Sequence, residues 1–124
     1  MKHILLVDDD SSTLQLIGRA LSDYDVTTAH DGFEALAAAE RSGRFDLLIT
    51  DYLMPEMFGD ELIARARARQ PDLQVLVVTG HGWILDREAA PWWQGHAHLD
   101  KPFEVAALRE QVAALIGGAD HAGR

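Results

Sequence analysis

Residues 4–10 read ILLVDDD, and this apolar run followed by three aspartates is the stretch that decides the fold. An uninterrupted apolar run of this length predicts a strand that is buried on both faces, as in a parallel sheet. After the acidic turn, apolar residues recur every three or four positions as far as Leu21, which is the spacing of one helix face. The opening segment therefore predicts a strand, an acidic turn and an amphipathic helix.

The same alternation continues along the chain as far as residue 116. Further strands are predicted at 26–29, 45–50, 73–78 and 96–99, with helical patterns between and after them. The helical pattern at 84–90 is weak, because Pro91 would interrupt a helix that continued through it. This order predicts an α/β fold with a doubly wound, five-stranded, mostly parallel sheet. We expect one domain over residues 1–116 and a disordered polar tail over 117–124.

Composition limits the classes of function. The 124 residues carry 11 basic and 20 acidic side chains, a net charge of −9, and no cysteine. Disulfides, thiol nucleophiles and cysteine-bound metals are therefore excluded. No apolar stretch approaches the roughly 20 residues of a membrane helix. The negative net charge disfavours nucleic acid and anionic membranes as direct partners. We expect a cytoplasmic protein that binds other proteins, not nucleic acid and not membranes.

Polar residues follow the predicted strands where each strand ends. They are Asp8 and Asp9 after the first strand, Asp51 after the third, Thr79 after the fourth and Lys101 after the fifth. The ligand crevice of an open parallel sheet lies outside the carboxyl ends of its strands. Carboxylates gathered there need a cation, and Mg²⁺ or Mn²⁺ prefers such oxygen ligands. One carboxylate can then act as the nucleophile in phosphoryl transfer, while metal and lysine stabilise the charge.

At this level the chain resembles the receiver domains of two-component response regulators. The motifs that carry the resemblance are Val7-Asp8-Asp9, Asp51 followed by Met54-Pro55, Thr79-Gly80, and Lys101-Pro102. The resemblance implies a flavodoxin-like receiver fold with strand order 2-1-3-4-5. It also implies that Asp51 is both the phosphoacceptor and a metal ligand.

The resemblance further assigns the other site residues. Asp9 would bind the metal directly, Asp8 through water, and Leu53 through its main-chain carbonyl. Thr79 and Lys101 would bind the phosphoryl oxygens, and the peptide bond after Lys101 would be cis.

The resemblance implies a signalling protein. A histidine kinase or a histidine phosphotransfer protein would donate the phosphoryl group, and residues 83–103, with the Trp92-Trp93 pair, would contact a downstream protein. We expect no turnover enzyme, only slow self-phosphorylation from small phosphodonors and self-dephosphorylation.

Three positions depart from the pattern of the family. Leu53 and His81 stand where the family places the side chains that flank the attacking water, which predicts slow self-dephosphorylation. His98 stands where an aromatic reporter of phosphorylation is usual. A metal site that combines His81, His96 and His98 is a further, weaker interpretation.

Other interpretations of the acidic turn stay open at this level. The aspartates could merely cap the first helix. The chain could instead be a phosphatase similar to haloacid dehalogenases, with Asp8 as nucleophile and Asp10 as acid, although this leaves Asp51 without a role. A pseudo-receiver that only docks partners is the third alternative.

Overall fold

The computed structural model describes residues 2–80 and 95–118. Its helices and strands are, in chain order, β1 (His3–Val7), α1 (Ser11–Ala20), β2 (Asp25–Ala29), α2 (Gly32–Ser42), β3 (Leu47–Thr50), α3 (Gly59–Arg69), β4 (Gln74–Thr79), β5 (Ala97–Asp100) and α4 (Val105–Ile116). The helix predicted at 84–90, with His81 and the Trp92-Trp93 pair, lies outside the described residues.

The strands form one sheet in the order β2-β1-β3-β4-β5. Every neighbouring pair is parallel, and Val7 lies in register with Thr50, which in turn lies in register with Val77. The predicted doubly wound α/β fold and its strand order are therefore confirmed. The last helix begins at Val105, later than the predicted pattern from Phe103, because Glu104 keeps an extended N-cap conformation.

The three central strands are buried on both faces. Alternate residues of β1, β3 and β4 enter two separate apolar clusters, one beneath α2 and α3 and the other beneath α1 and α4. This explains why these strands are continuous apolar runs in the sequence. The edge strands β2 and β5 carry more exposed side chains. The sheet is thus a firm base on which polar groups at the strand ends are held.

The three aspartates between β1 and α1 have different roles. Asp10 is the N-cap of α1, where its carboxylate accepts hydrogen bonds from the Ser12 amide at 3.2 Å and the Thr13 hydroxyl at 2.7 Å. Capping therefore accounts for Asp10 alone, and Asp8 and Asp9 are left for another role.

The first residue of the predicted tail contacts the rest of the fold. The Tyr24 hydroxyl donates a hydrogen bond of 3.0 Å to the carbonyl of Gly117, just after α4. Residues 119–124, most of the predicted tail, lie outside the described residues, so its disorder stays a prediction. Within 2–80 and 95–118, no helix has both the length and the apolar character needed to span a membrane.

Two helical glycines are expected to respond to alanine in opposite ways. A methyl group at Gly18 in α1 would meet no atom within 4 Å, whereas one at Gly59 in α3 would lie 2.5 Å from the carbonyl oxygen of Asp51. We expect Gly18→Ala to raise the free energy of unfolding by about 0.5–1 kcal/mol, because alanine is the better helix former. Gly59→Ala should lower it.

Urea unfolding of the two variants and the native chain measures this difference. Equal stability of both variants would contradict the packing described around Gly59.

Candidate functional site

The predicted site residues lie together at the carboxyl edge of the sheet. One further main-chain hydrogen bond extends three of the four strand pairs: Asp8 donates to Ala29 at 3.2 Å, Asp51 to Val7 at 3.3 Å, and Lys101 to Thr79 at 2.9 Å. The backbone of each of these residues is therefore fixed by hydrogen bonds of the sheet. Asp8, Asp51 and Thr79 are only 2%, 6% and 0% exposed.

Lys101 joins two of the acids across the sheet edge. Its Nζ lies 2.8 Å from Oδ2 of Asp8 and 3.1 Å from Oδ2 of Asp51. The other oxygen of each carboxylate accepts from a main-chain amide, Oδ1 of Asp8 from Asp10 at 2.9 Å and Oδ1 of Asp51 from Tyr52 at 2.7 Å. Both carboxylates are thus held in defined orientations by opposite charge and by main-chain amides.

Burial opposes ionisation of Asp8, while Lys101 favours it. Removal from water raises the pKa of Asp8, although the hydrogen bond and charge of Lys101 act in the opposite direction. Burial also works against charge on Lys101, yet its contacts with Asp8 and Asp51 outweigh this and raise the pKa of Lys101. A carboxyl group whose pKa is raised in the folded state stabilises the fold at low pH. This stabilisation is lost as the pH rises through that pKa. Ionisation of Asp8 therefore lowers the stability of the folded state, and a bound cation would offset that cost.

The donor set fits a hard divalent cation. Asp8, Asp9 and Asp51 each place a carboxylate oxygen within 4.8 Å of the others. An octahedral Mg²⁺ with oxygens at about 2.0–2.1 Å keeps several waters, so such a spread suits direct and water-mediated ligands together. Asp9 is exposed while its two partners are buried, which leaves one side of the cluster open to solvent. Leu53 is half-buried in the loop after β3, and the ligand role of its carbonyl stays a prediction.

The histidine metal site gains no support among the described residues. Across 2–80 and 95–118, only one group of three or more histidine, aspartate or glutamate side chains is close enough to share an ion, and it is the cluster of Asp8, Asp9 and Asp51. His98 is exposed on the edge strand β5, and its Nδ1 lies 3.3 Å from the carbonyl oxygen of His96. Burial, followed by the charge of Arg67, lowers the pKa of His96. His81, the third member of that hypothesis, lies outside the described residues.

Asp10 is unsuited to the acid role that the phosphatase interpretation needs. Hydrogen bonds from the Thr13 hydroxyl and then the Ser12 amide lower the pKa of Asp10. Both carboxylate oxygens of Asp10 accept hydrogen bonds that cap α1. These contacts favour a capping role for Asp10 over the general acid that the phosphatase interpretation needs.

Sequence reasoning missed two residues that contact the main chain of Asp51. The Thr50 hydroxyl donates to the Asp51 carbonyl oxygen at 2.8 Å. Gly59 leaves room for the same oxygen, which lies 2.5 Å from where a methyl group at this position would stand. The available signal was weak, a single polar residue ending the apolar strand LLIT and a glycine opening a helix.

Comparison with known proteins places the chain among signalling domains. Residues 4–113 match the family model described as the response regulator receiver domain. The chain is 39% identical over 112 residues to the transcriptional regulatory protein GlrR of Escherichia coli (strain K12), covering 89% of this chain and 25% of that protein. It is 32% identical over 115 residues to the probable transcriptional regulatory protein TcrX of Mycobacterium tuberculosis, covering 91% and 49%.

Solved structures agree with the sequence relatives. The chemotaxis protein CheY4 of Vibrio cholerae superposes with a TM-score of 0.82 at 32% identity, covering 93% of this chain and 98% of that one. The response regulator TrrA of Thermotoga maritima, solved in complex with Mg²⁺-BeF, gives a TM-score of 0.79 at 31% identity, covering 93% and 99%. The receiver domain of the hybrid histidine kinase CckA gives 0.77 at 32%, covering 92% and 98%.

The match to the curated relatives is partial in length. The chain spans a quarter of GlrR and about half of TcrX. Because both are named as transcriptional regulatory proteins, the expectation that this chain has no direct contact with nucleic acid is unsupported by them. The family model, the strand order and the cluster of acids with a lysine agree with one another, and the chain belongs to the response regulator receiver domain family.

Proposed function

We propose that the chain is the phosphoacceptor of a two-component phosphorelay, with Asp51 as the residue that receives the phosphoryl group. The observation that carries the proposal is the contact of Lys101 with the buried Asp51 carboxylate, beside the Asp8 and Asp9 carboxylates. Such a site combines a nucleophile, a fixed cation and oxygen ligands for a second cation. Phosphoryl transfer needs little beyond this positioning and charge stabilisation.

Each side chain of the site has a defined part in the transfer. A carboxylate oxygen of Asp51 forms a bond to phosphorus as the bond from phosphorus to the donor imidazole breaks, and the donor histidine leaves. Lys101, already 3.1 Å from Asp51, holds the phosphoryl oxygens, and the Thr79 hydroxyl at the end of β4 donates to them. Mg²⁺ or Mn²⁺, held by Asp8, Asp9, Asp51 and the Leu53 carbonyl, would supply neutralisation of the developing charge.

The partners follow from the same chemistry. The phosphodonor is a histidine kinase or a histidine phosphotransfer protein, a pairing supported by the similarity to the receiver domain of CckA. The downstream protein contacts residues 83–103, of which 95–103 are described and carry the exposed side chains of His98 and Asp100. The chain acts as a phosphoacceptor and does not turn over a separate substrate. Its cytoplasmic location stays a prediction.

Replacing the nucleophile tests the proposal directly. We expect Asp51→Asn to abolish phosphorylation by acetyl phosphate in the presence of Mg²⁺, because an amide cannot form the acyl phosphate. Labelled phosphate bound to the protein is the measurement. Asp10→Asn is the matched control, since asparagine caps a helix as well as aspartate does. Labelling of Asp51→Asn at the rate of the native chain would remove Asp51 from this role.

Metal binding is expected to stabilise the fold. A ligand at a hundred times its Kd adds about 2.7 kcal/mol to the free energy of unfolding, so Mg²⁺ should raise the unfolding midpoint of the native chain. Asp9→Asn should lose most of this increase because it removes one negative charge from the ligand set, whereas the neighbouring Asp10→Asn should keep it. The measurement is the midpoint of thermal unfolding with and without MgCl₂. An equal rise of the midpoint in both variants would contradict the proposed ligand set.

Leu53 is expected to slow the loss of the phosphoryl group. Its side chain cannot orient a water molecule, so Leu53→Asn should speed decay of the phosphorylated protein about tenfold, the effect of one added hydrogen bond in the transition state. The decay is followed after removal of the phosphodonor with Mg²⁺ present. Leu16→Asn, a substitution at an exposed leucine of α1, is the control. Unchanged or slower decay in Leu53→Asn would discard this explanation.

A further inference from the structure

Thr50 is a polar residue in an apolar place. It is the last residue of β3, is 0% exposed, and follows three apolar residues of the same strand. Its register partners on the neighbouring strands are Val7 and Val77, both buried. These two valines belong to the apolar cluster beneath α2 and α3. A hydroxyl in such surroundings is costly unless it has a hydrogen-bond partner.

The hydroxyl finds that partner in the main chain of the next residue. It donates to the carbonyl oxygen of Asp51 at 2.8 Å, and the sulfur of Met54, 3.9 Å away, is a much weaker second acceptor. Valine has nearly the same shape as threonine and would fill the same space. The distinct contribution of threonine at this position is therefore its bond to the Asp51 carbonyl.

That bond reaches the carboxylate of Asp51 through one rigid unit. The Asp51 carbonyl and the Tyr52 amide belong to the same peptide group, which is planar. The Tyr52 amide donates to Oδ1 of the Asp51 carboxylate at 2.7 Å. A hydroxyl that fixes the carbonyl end of this plane therefore also fixes the direction of the amide that holds the carboxylate.

The first turn of α3 also packs against this peptide. Gly59 approaches the Asp51 carbonyl so closely that a methyl group there would lie 2.5 Å from the oxygen and 3.0 Å from the Tyr52 Cα. The Gly59 amide also donates to the Tyr52 carbonyl at 2.7 Å. The Asp51–Tyr52 peptide is thus held between the hydroxyl of β3 and the first turn of α3.

We propose that Thr50 is a positioning residue for phosphoryl transfer: its buried hydroxyl fixes the Asp51–Tyr52 peptide plane, whose amide holds Oδ1 of Asp51 and leaves Oδ2 directed at Lys101. This inference rests on the proposed role of Asp51 as phosphoacceptor and adds a residue to its machinery. The hydroxyl contacts the Asp51 carbonyl oxygen and the Met54 sulfur, so Thr50 acts on the carboxylate through the main chain.

Two substitutions separate positioning from packing. Thr50→Val keeps the shape and removes the hydroxyl, so we expect phosphorylation by acetyl phosphate with Mg²⁺ to slow about threefold to tenfold, the effect of one lost hydrogen bond. Thr50→Ser keeps the hydroxyl and removes a buried methyl group, so its rate should stay within about twofold of the native chain. The serine variant should have a lower unfolding midpoint than the native chain because it loses a buried methyl group, so its nearly unchanged rate separates packing from positioning.

The outcomes distinguish the positioning role of Thr50 from the phosphoacceptor role of Asp51. A Thr50→Val rate equal to that of the native chain overturns the positioning role and leaves the function of Asp51 intact. Serine and valine variants that slow equally, or rates that follow the unfolding midpoints, overturn it as well, because packing then explains the effect. A native chain that takes up no phosphoryl group from acetyl phosphate overturns the proposed function and this inference together.

Discussion

The contact of the Lys101 ammonium with Asp8 and Asp51 is the interaction on which the site depends. Carboxylates brought this close repel one another and hold their protons unless a cation lies between them. Lys101 is that cation, at 2.8 and 3.1 Å from the two acids. It comes from the end of β5, which is separated from β3 by β4, so the contact requires the whole strand order to be in place. Formation of the site therefore depends on formation of the whole sheet.

Polar burial in this domain is concentrated at that same edge. Among the residues that the structure describes, the buried polar side chains are Asp8, Thr50, Asp51 and Thr79. Each lies at or just after the carboxyl end of a central strand. Buried polar groups lower stability unless they are paired, and Asp8, Thr50 and Asp51 are paired with Lys101 or with main-chain groups. The apolar central strands hold these groups in place, and the helices cover both faces.

Adjacent residues of similar chemistry perform different work because the backbone turns between them. Asp10 is directed at the first turn of α1, whereas Asp8 and Asp9 face the crevice. Capping of α2 shows the same dependence on local geometry. Asp31 is the N-cap of α2, and its carboxylate accepts from the Glu34 amide at 2.7 Å. The Glu34 carboxylate accepts from the main-chain amide of His30, one residue before the cap.

The sequence by itself determined the alternation of strands and helices, the parallel sheet and the residue types gathered at its edge. These follow from short-range patterns, namely apolar runs, helical spacing and polar residues at strand ends. Only the tertiary structure decided which aspartate caps a helix, how Lys101 divides its contacts, and that Thr50 and Gly59 meet the Asp51 carbonyl. Those contacts depend on the rotation of a peptide plane and on the spacing of elements distant in sequence. No local pattern of residues encodes them, because they exist only once strands and helices are packed.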